Sequence, residues 1–158
     1  QSVDVENYKL EVNGLVEEKK NYAYEEVLEF DKYQKAVTLY CVEGWDAEVL
    51  WEGVLVKDLF DPLLEANTVI FHAYDGYSSS LPLDYIIDND IILAYKVNGL
   101  TLPEENGFPF QLVAEDKYGY KWVKWVTKIE LSNETDYKGT WEKRGYSNKA
   151  DVGGPYFE

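Results

Sequence analysis

Apolar and polar residues alternate through "YKLEVNGLVEE" (8–18) on either side of Asn13-Gly14, and this predicts two strands joined by a tight turn. "NYAYEEVLEF" (21–30) has a helical spacing instead, with Tyr24, Val27, Leu28 and Phe30 on one side. Alternation resumes in "KAVTLYCV" (35–42), a strand that carries Cys41 near its end. "LVKDLFDPLLEAN" (55–67) spaces Val56, Leu59, Phe60 and Leu63 as a helix that Pro62 must kink or end. "TVIFHAY" predicts a buried strand, "DGYSSS" a turn-rich loop of small polar residues, and "LPLDYIIDND" a short helix. "IILAYKVNGLTLP" repeats the strand, Asn-Gly turn, strand pattern. "EENGFPF" predicts a loop, "FQLVAE" a strand, and "YGYKWVKWVTKIELS" a glycine turn that runs into an alternating strand. The tail "YKGTWEKRGYSNKADVGGPYFE" has little periodicity and is expected to drape over the surface. Neither repeats nor linkers interrupt the pattern. The prediction is one α+β domain over 1–158, mostly strands with two or three short helices.

Length and composition agree with this, since 158 residues at 46% apolar suffice for a single core. No apolar run approaches the roughly 18–20 residues that span a bilayer. Methionine is absent, an initiator included. The chain therefore reads as a mature exported protein or a trimmed one, a removed leader being the more natural expectation. A formal net charge of −15 argues against nucleic acid or anionic lipid as partners.

One cysteine excludes an intramolecular disulfide and any cysteine-cluster metal site, and one histidine leaves little for a zinc site. A Cys41–His72 nucleophile pair is formally open, although nothing in the sequence brings the two together. By composition alone Cys41 is an inert core thiol. Fourteen Tyr, five Trp and six Phe suit cross-strand aromatic pairs in a β-rich core, or stacking platforms for a flat ligand.

Charge adds one local anomaly. Acids are 30 of 158 residues, so thirteen residues should hold about two or three, yet 117–129, "KYGYKWVKWVTKI", hold none and carry Lys117, Lys121, Lys124 and Lys128. On a regular strand Lys124 and Lys128 face with Trp122 and Val126, and Lys121 faces with Val123 and Trp125. Such an island offers an anion site helped by the amides of the Gly119 turn, or a solvated face with edge lysines.

Six blocks bear on the choice: "LYCVEGW" (39–45), "WEGVLVKDLF" (51–60), "AYDGYSSSLPL" (73–83), "NGLTLPEENGFPFQLV" (98–113), "YGYKWVKWVTKIEL" (118–131) and "GTWEKRGY" (139–146). In this order they resemble the sulfite-oxidase-fold molybdopterin-binding domain, over about residues 8–146. The motif after the cysteine is most similar to the bacterial protein-methionine-sulfoxide-reductase catalytic subunits. The resemblance implies that fold, a molybdenum-molybdopterin cofactor, Cys41 as the metal's protein ligand, oxygen-atom transfer, and an electron-transfer partner. A soft thiolate suits such a metal. It further implies the cofactor phosphate near Gly119, Tyr120, Lys121 and Lys124, and Asp75 and Tyr77 in a loop past the metal's open side. Trp45 and Trp51 match as packing residues. The family's arginine in "PxRL" is here Gln111, and the arginines that bind sulfite or nitrate have no counterparts. The competing expectation is an exported binding module that keeps the fold without the cofactor.

Overall fold

Alternation in the first strand is realised as burial: in β1 (Lys9–Gly14) Leu10 and Val12 point inward while Lys9 and Glu11 face solvent. The computed structural model describes residues 3–40, 44 and 46–157. In chain order there follow β2 (Lys20–Ala23), α1 (Tyr24–Leu28), β3 (Lys32–Tyr40), β4 (Asp46–Leu55), β5 (Thr68–Ala73), β6 (Ser78–Pro82), α2 (Leu83–Asp88), β7 (Ile92–Val97), β8 (Leu100–Thr101), β9 (Gln111–Val113) and β10 (Val126–Ser132). They form two sheets. One has the order β2-β1-β10-β5-β6; the other runs β3-β4-β7-β8, with β9 also on β7. Only β1 and β10 pair in parallel, so the first and last strands lie side by side in the sheet.

The sheets share one apolar core that includes Leu10, Phe71, Leu93 and Phe110, all fully buried. Each such side chain contributes about 1.5–3 kcal/mol on burial. The α+β class follows from strands that supply the core while two short helices, α1 and α2, tuck against the sheet edges.

Several local expectations are corrected. Asn13-Gly14 does not close a hairpin: Gly14 is still paired with Leu131 of β10, and the return strand begins only at Lys20. The second Asn-Gly does turn the chain, with Asn98 at φ +51° and Gly99 at +81° between β7 and β8. The helix over 55–67 shrinks to a 3-10 turn at Val56–Leu59, because Pro62 disfavours helical backbone at Asp61. β4 had no counterpart in the pattern, since "DAEVLWEGVL" mixes inward and outward residues irregularly around a register shift at Glu52/Gly53. "DGYSSS" is not all loop: its three serines enter β6 and are buried. β10 starts only at Val126, so Lys121 and Lys124 are not strand residues with assigned faces; Gly119–Lys121 is a 3-10 turn. The tail does not drape. It sends Glu142, Ser147 and Ala150 into the interior.

Candidate functional site

The turn at 119–121 is held by the tail. The Tyr118 amide donates to the Ala150 carbonyl at 2.9 Å, and the Tyr120 hydroxyl donates to Ser147 O at 2.7 Å. The Lys121 side chain is fully buried. Its ammonium donates to Ser80 O at 2.8 Å and Asn148 Oδ1 at 3.1 Å, and lies 2.7 Å from Glu142 Oε2. That same oxygen accepts the Ser79 hydroxyl at 2.5 Å. Serines of β6 tolerate burial because the tail supplies such partners; Ser78 Oγ meets the Tyr137 hydroxyl at 2.8 Å. Glu142 reaches this depth because Gly139 crosses β6 closely: a Cβ there would lie 2.2 Å from Ser78 O. Lys117, also buried, donates to Asp151 Oδ1 at 2.6 Å and to Lys149 O at 3.0 Å. Burial would raise the Asp151 carboxyl, but the hydrogen bond and charge of Lys117, with Lys149, outweigh it and hold the group below the ordinary carboxylate range.

Lys124 differs. It is exposed, and among the described residues its ammonium donates only to the Glu105 carbonyl at 3.2 Å. Its base crowds the loop that precedes β9: a Cβ on Gly107 would lie 3.0 Å from Lys124 Cβ and 3.2 Å from Gln111 Cβ. Gln111 is buried, and its Oε1 has no hydrogen-bond partner among the described residues. Trp51 Nε1 is likewise buried and unpartnered there, its ring 5.6 Å from that of Trp122.

Asp75 is exposed and caps its own loop by accepting the Tyr77 amide at 3.1 Å. The Tyr77 hydroxyl donates to the Tyr120 carbonyl. Burial, with the nearby negative charge of Glu142, pushes its pKa well up, so the phenol keeps its proton at neutral pH. Tyr77, Gly119, Tyr120 and Lys121 thus form one cluster, with Asp75 at its rim and Lys124 beside Gln111. Cys41, with Trp45, lies outside the described residues; β3 ends one residue earlier, at Tyr40 opposite Asp46. His72 pairs with Glu130 Oε1 at 2.9 Å on the β5–β10 face, whereas the strand that leads to Cys41 belongs to the other sheet. The Cys41–His72 pair has one member outside the described residues, and the His72 side chain is engaged by Glu130. Among the described residues no three His, Cys, Asp or Glu side chains are placed to hold a metal.

A molybdopterin phosphate can be tested against these two regions. It does not fit at Lys121, whose charge is already met by a buried carboxylate. It fits at Lys124, whose exposed ammonium meets a backbone carbonyl and, among the described residues, no carboxylate. Glu142 and Asn148 were missed by sequence reasoning, because nothing in an aperiodic tail marks an acid that will turn inward.

Comparisons with known proteins agree with this architecture. The oxidoreductase molybdopterin binding domain family matches residues 1–141. The chain is 34% identical over 152 residues to the uncharacterized oxidoreductase YuiH of Bacillus subtilis, covering 94% of this chain and 76% of that protein. It is 32% identical over 148 residues to the putative protein-methionine-sulfoxide reductase subunit YedZ1 of Azospira oryzae, covering 92% of this chain and 56% of the relative. To the protein-methionine-sulfoxide reductase catalytic subunit MsrP of Campylobacter jejuni it is 28% identical over 162 residues, with 90% and 54% covered. The sulfane dehydrogenase SoxCD from Paracoccus pantotrophus shares the fold at TM-score 0.82 and 22% identity, over 94% of this chain and 43% of that one. The chain therefore spans about three quarters of one relative and about half of the others.

Proposed function

Because the chain belongs to the oxidoreductase molybdopterin binding domain family, we propose that it binds a molybdenum-molybdopterin cofactor through Cys41 and acts on a sulfoxide-type substrate. When bound, the cofactor supplies oxygen-atom transfer. The chain's own residues supply the rest. The Cys41 thiolate is the metal ligand; its softness suits the metal, and coordination favours the deprotonated form. Lys124 meets the cofactor phosphate, and Gln111 Oε1, an acceptor that a phosphate oxygen cannot satisfy, is left to take an N–H donor of the pterin. Lys121 holds the Gly119–Tyr120 turn in shape from beneath, through Glu142 and Ser80 O. Tyr77, kept protonated by burial and tied to the Tyr120 carbonyl, fixes the 75–77 loop as a neutral wall and takes no proton from the substrate. Sulfoxide chemistry is suggested by two relatives, the putative sulfoxide reductase subunit YedZ1 and the sulfoxide reductase catalytic subunit MsrP.

The observation that carries the reading is the exposed Lys124 ammonium, which among the described residues meets the Glu105 carbonyl and no carboxylate. Its test is molybdenum analysis with a visible spectrum on protein from a host that makes the cofactor. Near-stoichiometric metal is expected, lost in Cys41→Ser and reduced in Lys124→Ala with unchanged folding. Metal-free protein from that host would return the chain to a binding module that keeps only the fold.

A further inference from the structure

The tail that seals Lys121 also builds a surface unlike the remainder of the molecule. Residues 138–149, "KGTWEKRGYSNK", carry four of the chain's fifteen cations and a single acid, Glu142. That acid is turned inward and neutralised by Lys121. Lys138, Lys143 and Arg144 are exposed, and among the described residues none has an ion-pair partner. Arg144 lies over the Trp141 ring at 5.5 Å. Around them stand exposed rings, Trp141 at 39%, Tyr156 at 40% and Phe157 at 59%. Large aromatic side chains interleaved with arginine are the composition of binding hot spots.

The rings also lead inward. Trp141 contacts Tyr146 at 5.4 Å, and Tyr146 contacts Tyr120 at 5.3 Å. The Tyr120 carbonyl accepts the Tyr77 hydroxyl of the loop assigned above to the site. The patch is thus packed continuously against the candidate site.

We propose that this cationic, aromatic face docks the acidic surface of a small electron-carrier protein. Charge complementarity selects the occupant. At physiological ionic strength the Debye length is about 8 Å, so Lys138, Lys143 and Arg144, unpaired among the described residues, weigh more in the field a partner meets than carboxylates farther away than that. A second copy of the chain would also bring mostly acidic surface, and the sedimentation arm of the test separates that occupant from the carrier. The redox identity of the partner rests on the oxidoreductase reading; the docking surface itself does not.

The test is calorimetric titration of the full chain with an acidic ferredoxin and an acidic c-type cytochrome, with basic cytochrome c as control. An acidic carrier should bind, with affinity falling about tenfold or more as salt is raised from low to physiological strength. Lys143→Glu with Arg144→Glu should weaken it at least about tenfold, and Trp141→Ala by a similar factor through the apolar contact. Binding of basic cytochrome c should be unchanged or stronger in the charge-reversed variant. The proposal is overturned if neither acidic carrier binds, if the variants bind as the wild type does, or if sedimentation shows that the patch instead joins two copies of this chain. Because the titration reads association and not turnover, binding without metal would keep the surface while removing its redox purpose. Metal without binding would keep the cofactor reading and remove the docking face.

Discussion

The acid-free stretch 117–129 divides into two regions with opposite fates. At its start, Lys117 and Lys121 are buried and meet Asp151 and Glu142 of the tail. Seven residues after Lys117, Lys124 is exposed and touches only a carbonyl. An island of cations in sequence is therefore a sealed structural clasp at one end and a solvent-exposed ammonium at the other. Local charge counts could not separate them, because the neutralising acids arrive from twenty or more residues downstream.

Removing the acid from the clasp gives the largest expected effect. Glu142→Ala leaves the Lys121 ammonium buried without its counter-charge, which should cost about 3–5 kcal/mol, read as a lower urea midpoint. Lys121→Met with Glu142→Leu should restore most of it, since replacing both partners leaves no orphaned charge. Lys124→Ala, by contrast, should stay within about 0.5 kcal/mol of wild type. Equal losses at Lys121 and Lys124 would erase the distinction between the two regions. Gly139→Ala comes next, at about 1–3 kcal/mol, because its Cβ would press to 2.2 Å from Ser78 O and lift the clasp from β6.

The two regions also show what the sequence reveals and where it stops. Periodicity finds β1, whose Leu10 and Val12 alternate inward, and continuous apolar runs find β5 and β7, which are buried over four successive residues and send Phe71 and Leu93 into the core. It misplaces elements whose burial is completed from elsewhere. Ser78, Ser79 and Ser80 read as a loop because buried hydroxyls need partners, and those partners are Tyr137 and Glu142 in the tail. The first Asn-Gly fails as a hairpin because parallel pairing with β10 carries the strand through Gly14, a non-local contact that no turn dipeptide encodes. At the site, block order along the chain points to Cys41 and to the lysine stretch. The division of labour between Lys121 and Lys124 is set by packing alone, as is the unsatisfied Gln111 oxygen.

The smallest effect concerns the outer half of the clasp. The Asp151 carboxyl is held below its ordinary range by Lys117 and Lys149, while in the unfolded chain it titrates as an ordinary aspartate, near 3.8. A group whose folded pKa is depressed binds fewer protons when folded. Its contribution to stability is therefore present above about pH 4 and is lost as pH falls through the folded value. The Asp151 side chain is 43% exposed, so solvent screening limits the pair to under about 1 kcal/mol. Asp151→Asn should accordingly lower the urea midpoint slightly at pH 7, and the gap to wild type should close as pH falls below about 4. A gap that stays constant across that range would mean that the tail is held at Lys117 by its backbone contacts, the Lys149 carbonyl and the Lys117–Asp151 bridge, and not by charge.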